Sequence, residues 1–149
     1  MKFYGLLMTT CLVVAATGCA GRKSARGFSL PEGDPEQGQA TFVKLKCYAC
    51  HTVWGVDLPD LDPKPETPVV LGGEVARLKT YGELVTSIIN PSHRIAKGYA
   101  NDVVEKDGES KMKNYNDVLT ISQLIDLVAF LEAHYELEHY EPTNYPMFP

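Results

Sequence analysis

Five consecutive residues, Cys47-Tyr48-Ala49-Cys50-His51, carry two thiols and an imidazole at the C-x-x-C-H spacing of c-type haem attachment. On a helical turn the two thiols point the same way, so each can add to one vinyl group of a porphyrin. The imidazole of the next residue can then reach the iron as an axial ligand. The sequence predicts one covalently bound haem c, attached through Cys47 and Cys50, with His51 as an iron ligand.

Two other kinds of site use paired cysteines. A redox-active C-x-x-C of the thioredoxin type needs no histidine after it and normally lies in a βαβ unit, for which this sequence has no signal. A structural zinc site needs two further ligands at close spacing, and the chain after residue 18 offers no second cysteine pair. Both alternatives are weaker than haem attachment.

Met112 is the predicted second axial ligand of the iron. It lies in a polar stretch, residues 110–115, without apolar neighbours at helical spacing, so it is a poor core residue. A thioether sulfur binds soft iron and favours the reduced state, which raises the reduction potential. A surface or gap-filling methionine is the alternative. His93 is the rival ligand, because bis-histidine ligation would lower the potential.

Three helices are predicted to position these residues. The first begins at Asp34, with Pro35 at the first helical position and Gln37 completing a capping box, and it delivers the chain to Cys47. Because Cys47 continues its apolar spacing, this helix is expected to orient the haem motif directly.

The other two helices also begin with capping boxes. The second begins at Thr80, whose box closes with Glu83, and stops before Pro91. The third begins at Thr120, whose box closes with Gln123. It carries a broad apolar stripe: Ile121, Leu124, Ile125, Leu127, Val128 and Leu131. This helix is expected to close the core.

No segment alternates polar and apolar residues for long enough to make a convincing strand. Long loops are predicted at about residues 55–70 and at residues 91–119, with a turn at Lys106-Asp107-Gly108. The predicted fold is therefore all-α, with three main helices plus long loops wrapped around one haem.

The chain resembles the class I (monohaem) cytochromes c over about residues 34–133. In that family a glycine and an aromatic residue on the first helix precede the haem motif, as Gly38 and Phe42 do here. An aromatic residue on the last helix packs against that glycine where the two helices cross, and Phe130 matches it. The family's sixth ligand is a methionine in the loop before the last helix, which matches Met112. The resemblance implies the small cytochrome c fold and electron transfer.

The resemblance also implies partners for the haem and its histidine. In the family the proximal histidine donates to a backbone carbonyl of a Gly-Pro-x-Leu segment. Here Pro68-Val-Val-Leu has its proline one residue early, so the acceptor is Pro68 or a neighbour. Arg77 falls where some members carry an arginine near a haem propionate, with an exposed helix-flanking arginine as the alternative. Trp54 and Tyr99 are predicted to line the propionate side, although core packing would explain either one.

The first 18 residues are predicted to be a signal peptide, because Lys2 precedes a short apolar run. The end of this run, Ala16-Thr17-Gly18-Cys19, resembles the lipobox of bacterial lipoproteins, in which the cysteine is lipidated and becomes the mature N-terminus. An uncut signal anchor with an incidental Cys19 is the alternative. Lipidation of Cys19 predicts a lipid-anchored protein on the periplasmic side of a bacterial membrane.

Four regions follow from these signals. They are a lipoprotein signal peptide at residues 1–18, a flexible tether at 19–33, a cytochrome c domain at 34–135 and a Pro/Tyr-rich C-terminal tail at 136–149. The tail contains Pro142, Pro146 and Pro149, which disfavour a helix. It is expected either to wrap the domain or to dock on a partner.

The chain is acidic, with 14 basic and 19 acidic residues and a net charge of −5. Removing residues 1–18 removes Lys2 and no acid, which leaves 13 against 19 and a net charge of −6. Such a chain is a poor nucleic-acid binder. Residues 115–149 contain six acids and no Lys or Arg, whereas six lysines flank the haem segments: Lys44, Lys46, Lys97, Lys106, Lys111 and Lys113. A basic haem rim would steer an acidic redox partner, and a solvated surface without a partner is the alternative.

The predicted function is single-electron transfer in a membrane-associated respiratory chain, and not enzymatic catalysis. With His51 and Met112 on the two axial positions, no substrate can reach the iron. The expected partner is a membrane respiratory complex, such as an alternative complex III or a terminal oxidase, which the protein would serve as tethered carrier or fixed subunit. The alternative is a haem enzyme, or the haem subunit of a periplasmic oxidoreductase, with an open or exchangeable distal site.

Overall fold

A computed structural model of the protein describes residues 30–63 and 68–139. In these residues the chain forms four α-helices: α1 (Pro35–Lys44), α2 (Tyr81–Ile89), α3 (Asn101–Val104) and α4 (Ile121–Glu132). Two short 3-10 helices lie at Cys47–Ala49 and Pro91–His93. No helix of the described part is long and apolar enough to cross a membrane.

The prediction of an all-α fold is wrong. Six short strands accompany the helices: β1 (His51–Val53), β2 (Val69–Leu71), β3 (Gly73–Val75), β4 (Glu105–Lys106), β5 (Glu109–Ser110) and β6 (Tyr135–Leu137). They form three two-stranded sheets, of which β1–β2 and β3–β6 are parallel and β4–β5 is antiparallel. A strand of two or three residues is too short to display an alternating pattern, so its sequence carries no strand signal.

The capping of α1 differs from its prediction in one bond. Asp34 is the N-cap, and its carboxylate accepts from the backbone N–H groups of Glu36 at 2.9 Å and Gln37 at 3.3 Å. The backbone N–H of Asp34 donates to the carboxylate of Asp126 on α4 at 2.9 Å, and the predicted return bond to Gln37 is not the one formed. The start of α1 is thus joined to α4 by a tertiary hydrogen bond.

Helices α1 and α4 cross with their backbones in close contact. A Cβ atom added to Gly38 would lie 2.6 Å from the Cβ of Phe130 and would collide with the carbonyl oxygen of Asp126. The rings of Phe42 and Phe130 meet beside this crossing at a centroid distance of 5.7 Å, and both residues are buried. The predicted contact of Gly38 with Phe130 is therefore confirmed.

Substituting Gly38 by alanine is expected to destabilise the protein by about 1–3 kcal/mol, because the added methyl group overpacks a backbone crossing that cannot easily open. Gly82, on the exposed side of α2, is the matched control because nothing lies within 4 Å of its added Cβ. Gly82→Ala should stabilise by about 0.5–1 kcal/mol through helix propensity. Denaturant unfolding of both variants measures the two effects, and a Gly38→Ala protein as stable as the wild type would contradict the close crossing.

The second and third predicted helices are confirmed as α2 and α4. Both predicted capping boxes are complete, Thr80 with Glu83 and Thr120 with Gln123. Helix α2 ends at Ile89, before the predicted stop at Pro91. The two helices contribute most of the buried core together with α1 and β1: Phe42, Val53, Leu84, Val85, Ile88, Leu127, Val128, Phe130 and Leu131.

The long segment between α2 and α4, residues 91–119, is more ordered than the predicted loop. Its middle contains α3 and the β4–β5 hairpin, whose turn residues Asp107 and Gly108 have φ angles of 55° and 82°. Positive φ at both central residues is typical of the two-residue hairpin turn that Asp-Gly favours. The predicted turn at residues 106–108 is confirmed. The strands β4 and β5 on either side of it were not predicted.

Two predicted region boundaries cross ordered structure. Gly33, the last residue of the predicted tether, lies against α4, since an added Cβ would be 2.9 Å from the Cβ of Ala129. Strand β6 spans the predicted boundary between residues 135 and 136 and pairs with β3. The predicted signal peptide, residues 19–29 of the tether and residues 140–149 of the tail lie outside the described residues.

Candidate functional site

The C-x-x-C-H motif lies on a tight turn directly after α1. The helix ends at Lys44, Lys46 adopts a left-handed conformation with φ of 56°, and Cys47–Ala49 form a 3-10 turn. The backbone N–H of Cys50 donates to the carbonyl of Cys47 at 3.1 Å. Helix α1 therefore stops before the motif, and the helical turn expected for the two cysteines is a separate 3-10 turn.

Both cysteines of this turn are free thiols, with Cys47 half-buried and Cys50 exposed. Burial raises the pKa of the Cys47 thiol to about 11, against a backbone hydrogen bond that lowers it, and the neighbouring Cys50 adds to the increase. Cys47 is thus a protonated thiol at neutral pH. A redox-active C-x-x-C cysteine has a lowered pKa instead, which disfavours a thioredoxin-type use of the pair.

The orientation of His51 is fixed by a hydrogen bond from its ring. Nδ1 of His51 lies 3.2 Å from the carbonyl oxygen of Val69. A backbone carbonyl can only accept, so Nδ1 carries the proton and Nε2 keeps its lone pair for a metal ion. Burial lowers the pKa of the imidazole, and the bond to Val69 opposes this. The neutral ring that a metal ligand requires is therefore favoured.

The parallel pairing of β1 with β2 brings this carbonyl to the imidazole. His51 is in register with Val69, and the backbone N–H of Val69 donates to the carbonyl of Cys50 at 2.8 Å. The sequence predicted Pro68 or a neighbour as the acceptor, and the neighbour Val69 takes this role. Pro68 directly precedes the strand.

Met112 follows the β4–β5 hairpin and is half-buried. Its backbone N–H donates to the hydroxyl of Ser110 at 3.1 Å, and the N–H of Ser110 donates to the hydroxyl of Ser92 at 3.1 Å. Since Ser92 belongs to the 3-10 helix at Pro91–His93, its hydroxyl joins the methionine segment to the residues that follow α2. The segment before Met112 is braced by serines that the sequence analysis did not single out.

Tyr115 joins the other side of the methionine segment to the haem motif. Its hydroxyl donates to the carbonyl of Leu45 at 3.1 Å, two residues before Cys47. The pKa of Tyr115 is raised by burial, and the nearby Cys47 and Cys50 add to this increase. Tyr115, three residues after Met112, thus ties the methionine segment to the chain that leads into the haem motif.

Arg77, the predicted propionate partner, forms an ion pair at the surface. Its guanidinium donates to both carboxylate oxygens of Glu83, at 3.0 and 2.7 Å, and Arg94 donates to the same carboxylate at 3.3 Å. The hydrogen bonds from Arg77 and from the Thr80 backbone hold the pKa of Glu83 below its ordinary range. A role of Arg77 towards a propionate stays a prediction, and any such contact would compete with Glu83.

Trp54 and Tyr99, the other two residues assigned to the propionate side, both adjoin β2. Trp54 is 67% exposed, its backbone N–H donates to the carbonyl of Leu71 at 2.9 Å, and its indole lies 3.5 Å from an added Cβ on Gly73. The hydroxyl of Tyr99 accepts from the backbone N–H of Val70 at 3.0 Å. Neither residue is part of the buried core, which disfavours core packing as the explanation for them.

His93 and His134, two histidines outside the motif, have different surroundings. His93 is exposed at the end of its 3-10 helix. His134 is half-buried, with Nδ1 at 2.7 Å from the carbonyl of Phe130 and its ring against the Phe130 ring at 4.8 Å. Ligation by His93 in place of Met112 stays a prediction.

The residues at this site fit a covalently attached haem in their chemistry. Two free thiols lie on one short turn, the adjacent imidazole presents Nε2, and a half-buried thioether follows on a braced segment. In residues 30–63 and 68–139, no three His, Cys, Asp or Glu side chains are grouped so that they could hold a metal ion. A shallow pocket of about 230 Å³ lies elsewhere, lined by Ile89, Asn116, Leu119, Thr120, Ile121 and Leu124.

Comparisons with protein-family models, with curated proteins and with solved structures found no match for this chain.

Proposed function

We propose that this protein is a monohaem c-type cytochrome that transfers single electrons on the periplasmic side of a bacterial membrane. The observation that carries the proposal is the bond from His51 Nδ1 to the Val69 carbonyl, directly after two free thiols. This bond places the proton on Nδ1 and leaves Nε2 free to bind iron. The imidazole belongs to His51, the histidine that completes the C-x-x-C-H motif.

The chain's residues favour electron transfer over catalysis. His51 and Met112 would hold the iron of a bound haem, and the bonds of Ser110 to Ser92 and of Tyr115 to Leu45 restrain the methionine segment on both sides. Bound haem supplies a one-electron couple at this site. The half-burial of both ligand residues limits the approach of water and small molecules.

The charge around the site supports an acidic redox partner. Lys44 and Lys46 are exposed directly before the thiols. Lys113 is exposed as well, and its ammonium group lies 5.5 Å from the centre of the Tyr115 ring, whose hydroxyl binds Leu45. Three lysines are thereby gathered next to the motif, where they would orient a brief encounter with a partner.

The proposed setting is a respiratory chain. A lipid on Cys19 would hold the protein at the periplasmic face of a membrane, and the tail at residues 136–149 would dock it on a complex such as an alternative complex III or a terminal oxidase. Carrier and fixed subunit are both compatible with this setting. Cys19 and residues 140–149 lie outside the described residues.

Purification of the full-length protein from membranes of a bacterium that attaches haem c tests the proposal. We expect one haem per chain in an alkaline pyridine haemochrome spectrum, and an intact mass that exceeds the processed polypeptide by one haem. A polypeptide of unmodified mass with no haem absorbance, made under conditions that mature other cytochromes c, would refute the proposed function.

A further inference from the structure

One planar peptide unit, the one that joins Val69 to Val70, is hydrogen-bonded at both ends. Its carbonyl oxygen lies 3.2 Å from His51 Nδ1, and its N–H donates to the hydroxyl oxygen of Tyr99 at 3.0 Å. The carbonyl of residue 69 and the N–H of residue 70 share one resonance system. The imidazole of His51 and the phenol of Tyr99 are therefore connected through a single amide group.

Such a connection transmits polarisation. When the N–H of an amide donates a hydrogen bond, electron density moves towards its carbonyl oxygen, which becomes a better acceptor. Chains of hydrogen bonds strengthen one another by about 10–30% per bond. The bond from Val70 to Tyr99 thus strengthens the bond from His51 to Val69.

The Tyr99 hydroxyl binds the edge of β2 that faces away from β1. Val69 and Leu71 direct their polar groups to β1, through the bonds of Val69 to Cys50 and of Trp54 to Leu71. Val70 therefore directs its N–H to the opposite edge, where the Tyr99 hydroxyl accepts it from 29 residues further along the chain. The side chain of Val70 is 52% exposed, so side-chain packing contributes little to holding this residue.

Tyr135 lies close enough to Tyr99 for the two phenols to interact electrostatically. Its pKa is raised mainly by burial and further by Tyr99, and it is lowered by a hydrogen bond from the Gly72 backbone. Tyr135 lies on β6 and packs against the core.

We propose that Tyr99 is a positioning residue for His51. It acts through the Val69–Val70 peptide unit, holds the Val69 carbonyl towards Nδ1 and increases the electron donation of the imidazole to a bound iron. Its hydroxyl thus lowers the reduction potential of the protein. The inference rests on the proposed function, because it concerns the axial ligand of a bound haem.

Tyr99→Phe in the haem-loaded protein tests this role, since it removes the hydroxyl and keeps the ring. We expect the equilibrium constant for reduction to rise about twofold to fivefold, or about 18–41 mV at 59 mV per tenfold change in a one-electron couple. In the reduced protein the His51 Nδ1–H resonance should move upfield, because its hydrogen bond is weaker. The second readout does not depend on electron-transfer activity.

Tyr81→Phe is the matched control. The Tyr81 hydroxyl is buried without a hydrogen-bond partner in the described part of the chain, so its removal alters no bond to His51. The control should keep the wild-type potential and Nδ1–H resonance. Equal potentials in wild type and Tyr99→Phe, or a changed potential with an unmoved Nδ1–H resonance, would overturn the inference.

A second substitution covers the case in which Tyr99→Phe does not fold. Replacing Tyr99 by 3-fluorotyrosine keeps the hydroxyl and its bond but makes the oxygen a weaker acceptor. We expect shifts of the same sign and smaller size, and their absence would overturn the inference. A wild-type protein that binds no haem would instead refute the proposed function, so the two failures are distinguishable.

Discussion

Double substitution of Cys47 and Cys50 by alanine is expected to abolish covalent attachment of haem. The two thiols are the free cysteines of the described residues, and they lie on one 3-10 turn before His51. Without them no thioether can form to the porphyrin vinyl groups. After extraction with acidified organic solvent, the wild-type chain should retain its haem and the double variant should retain none. Intact mass and in-gel haem staining measure the difference.

Tyr48→Phe is the control for this substitution, because it lies between the two cysteines and leaves both thiols in place. It should attach haem to the same extent as the wild type. Retention of haem by the double-alanine chain after extraction would mean that attachment does not use the C-x-x-C-H cysteines. The proposal of a c-type cytochrome would then fail.

Met112→Ala is expected to convert a site closed to carbon monoxide into one that binds it. If Met112 is the second protein ligand of the iron as proposed, the reduced wild type should give no spectral change under carbon monoxide, because His51 and Met112 would leave no coordination position open. Loss of the thioether should open that position and produce a saturable carbon monoxide spectrum. The reduction potential should fall at the same time, because thioether ligation favours the reduced state.

His93→Ala is the matched control, since His93 is the rival ligand and is exposed. It should behave as the wild type. If His93→Ala binds carbon monoxide and Met112→Ala does not, His93 is the ligand and the assignment of Met112 is wrong. Carbon monoxide binding by the reduced wild type would contradict the closed site and favour the haem-enzyme alternative.

The helices could be predicted because their signals are local. The capping boxes of Thr80 and Thr120 join residues three positions apart, and both formed as predicted. One hydrogen bond at a helix start was not predictable in this way. The backbone N–H of Asp34 donates to the carboxylate of Asp126, which is 92 residues away in the chain. No pattern near Asp34 indicates that bond, because both Gln37 and Asp126 are chemically suitable acceptors.

The strands could not be predicted from the same signals. In β1–β2 and β3–β6, three-residue segments that are distant in the chain are paired by backbone hydrogen bonds. Backbone groups are the same in every residue, so the side-chain pattern does not reveal such pairs. The β4–β5 hairpin differs, because Asp107-Gly108 is a local turn signal, and two-residue strands that flank such a turn can be inferred from it.

The sequence by itself determined the reactive groups, because the identity and the spacing of two thiols and an imidazole are properties of the covalent chain. It also determined the approximate acceptor of His51, through the resemblance around Pro68. Only the tertiary structure decided that the acceptor is the Val69 carbonyl, that Tyr99 holds the other end of the same peptide unit, and that Arg77 is paired with Glu83. The physical reason is that a hydrogen bond depends on distance and direction to within tenths of an ångström, and these are set by packing of segments far apart in the chain.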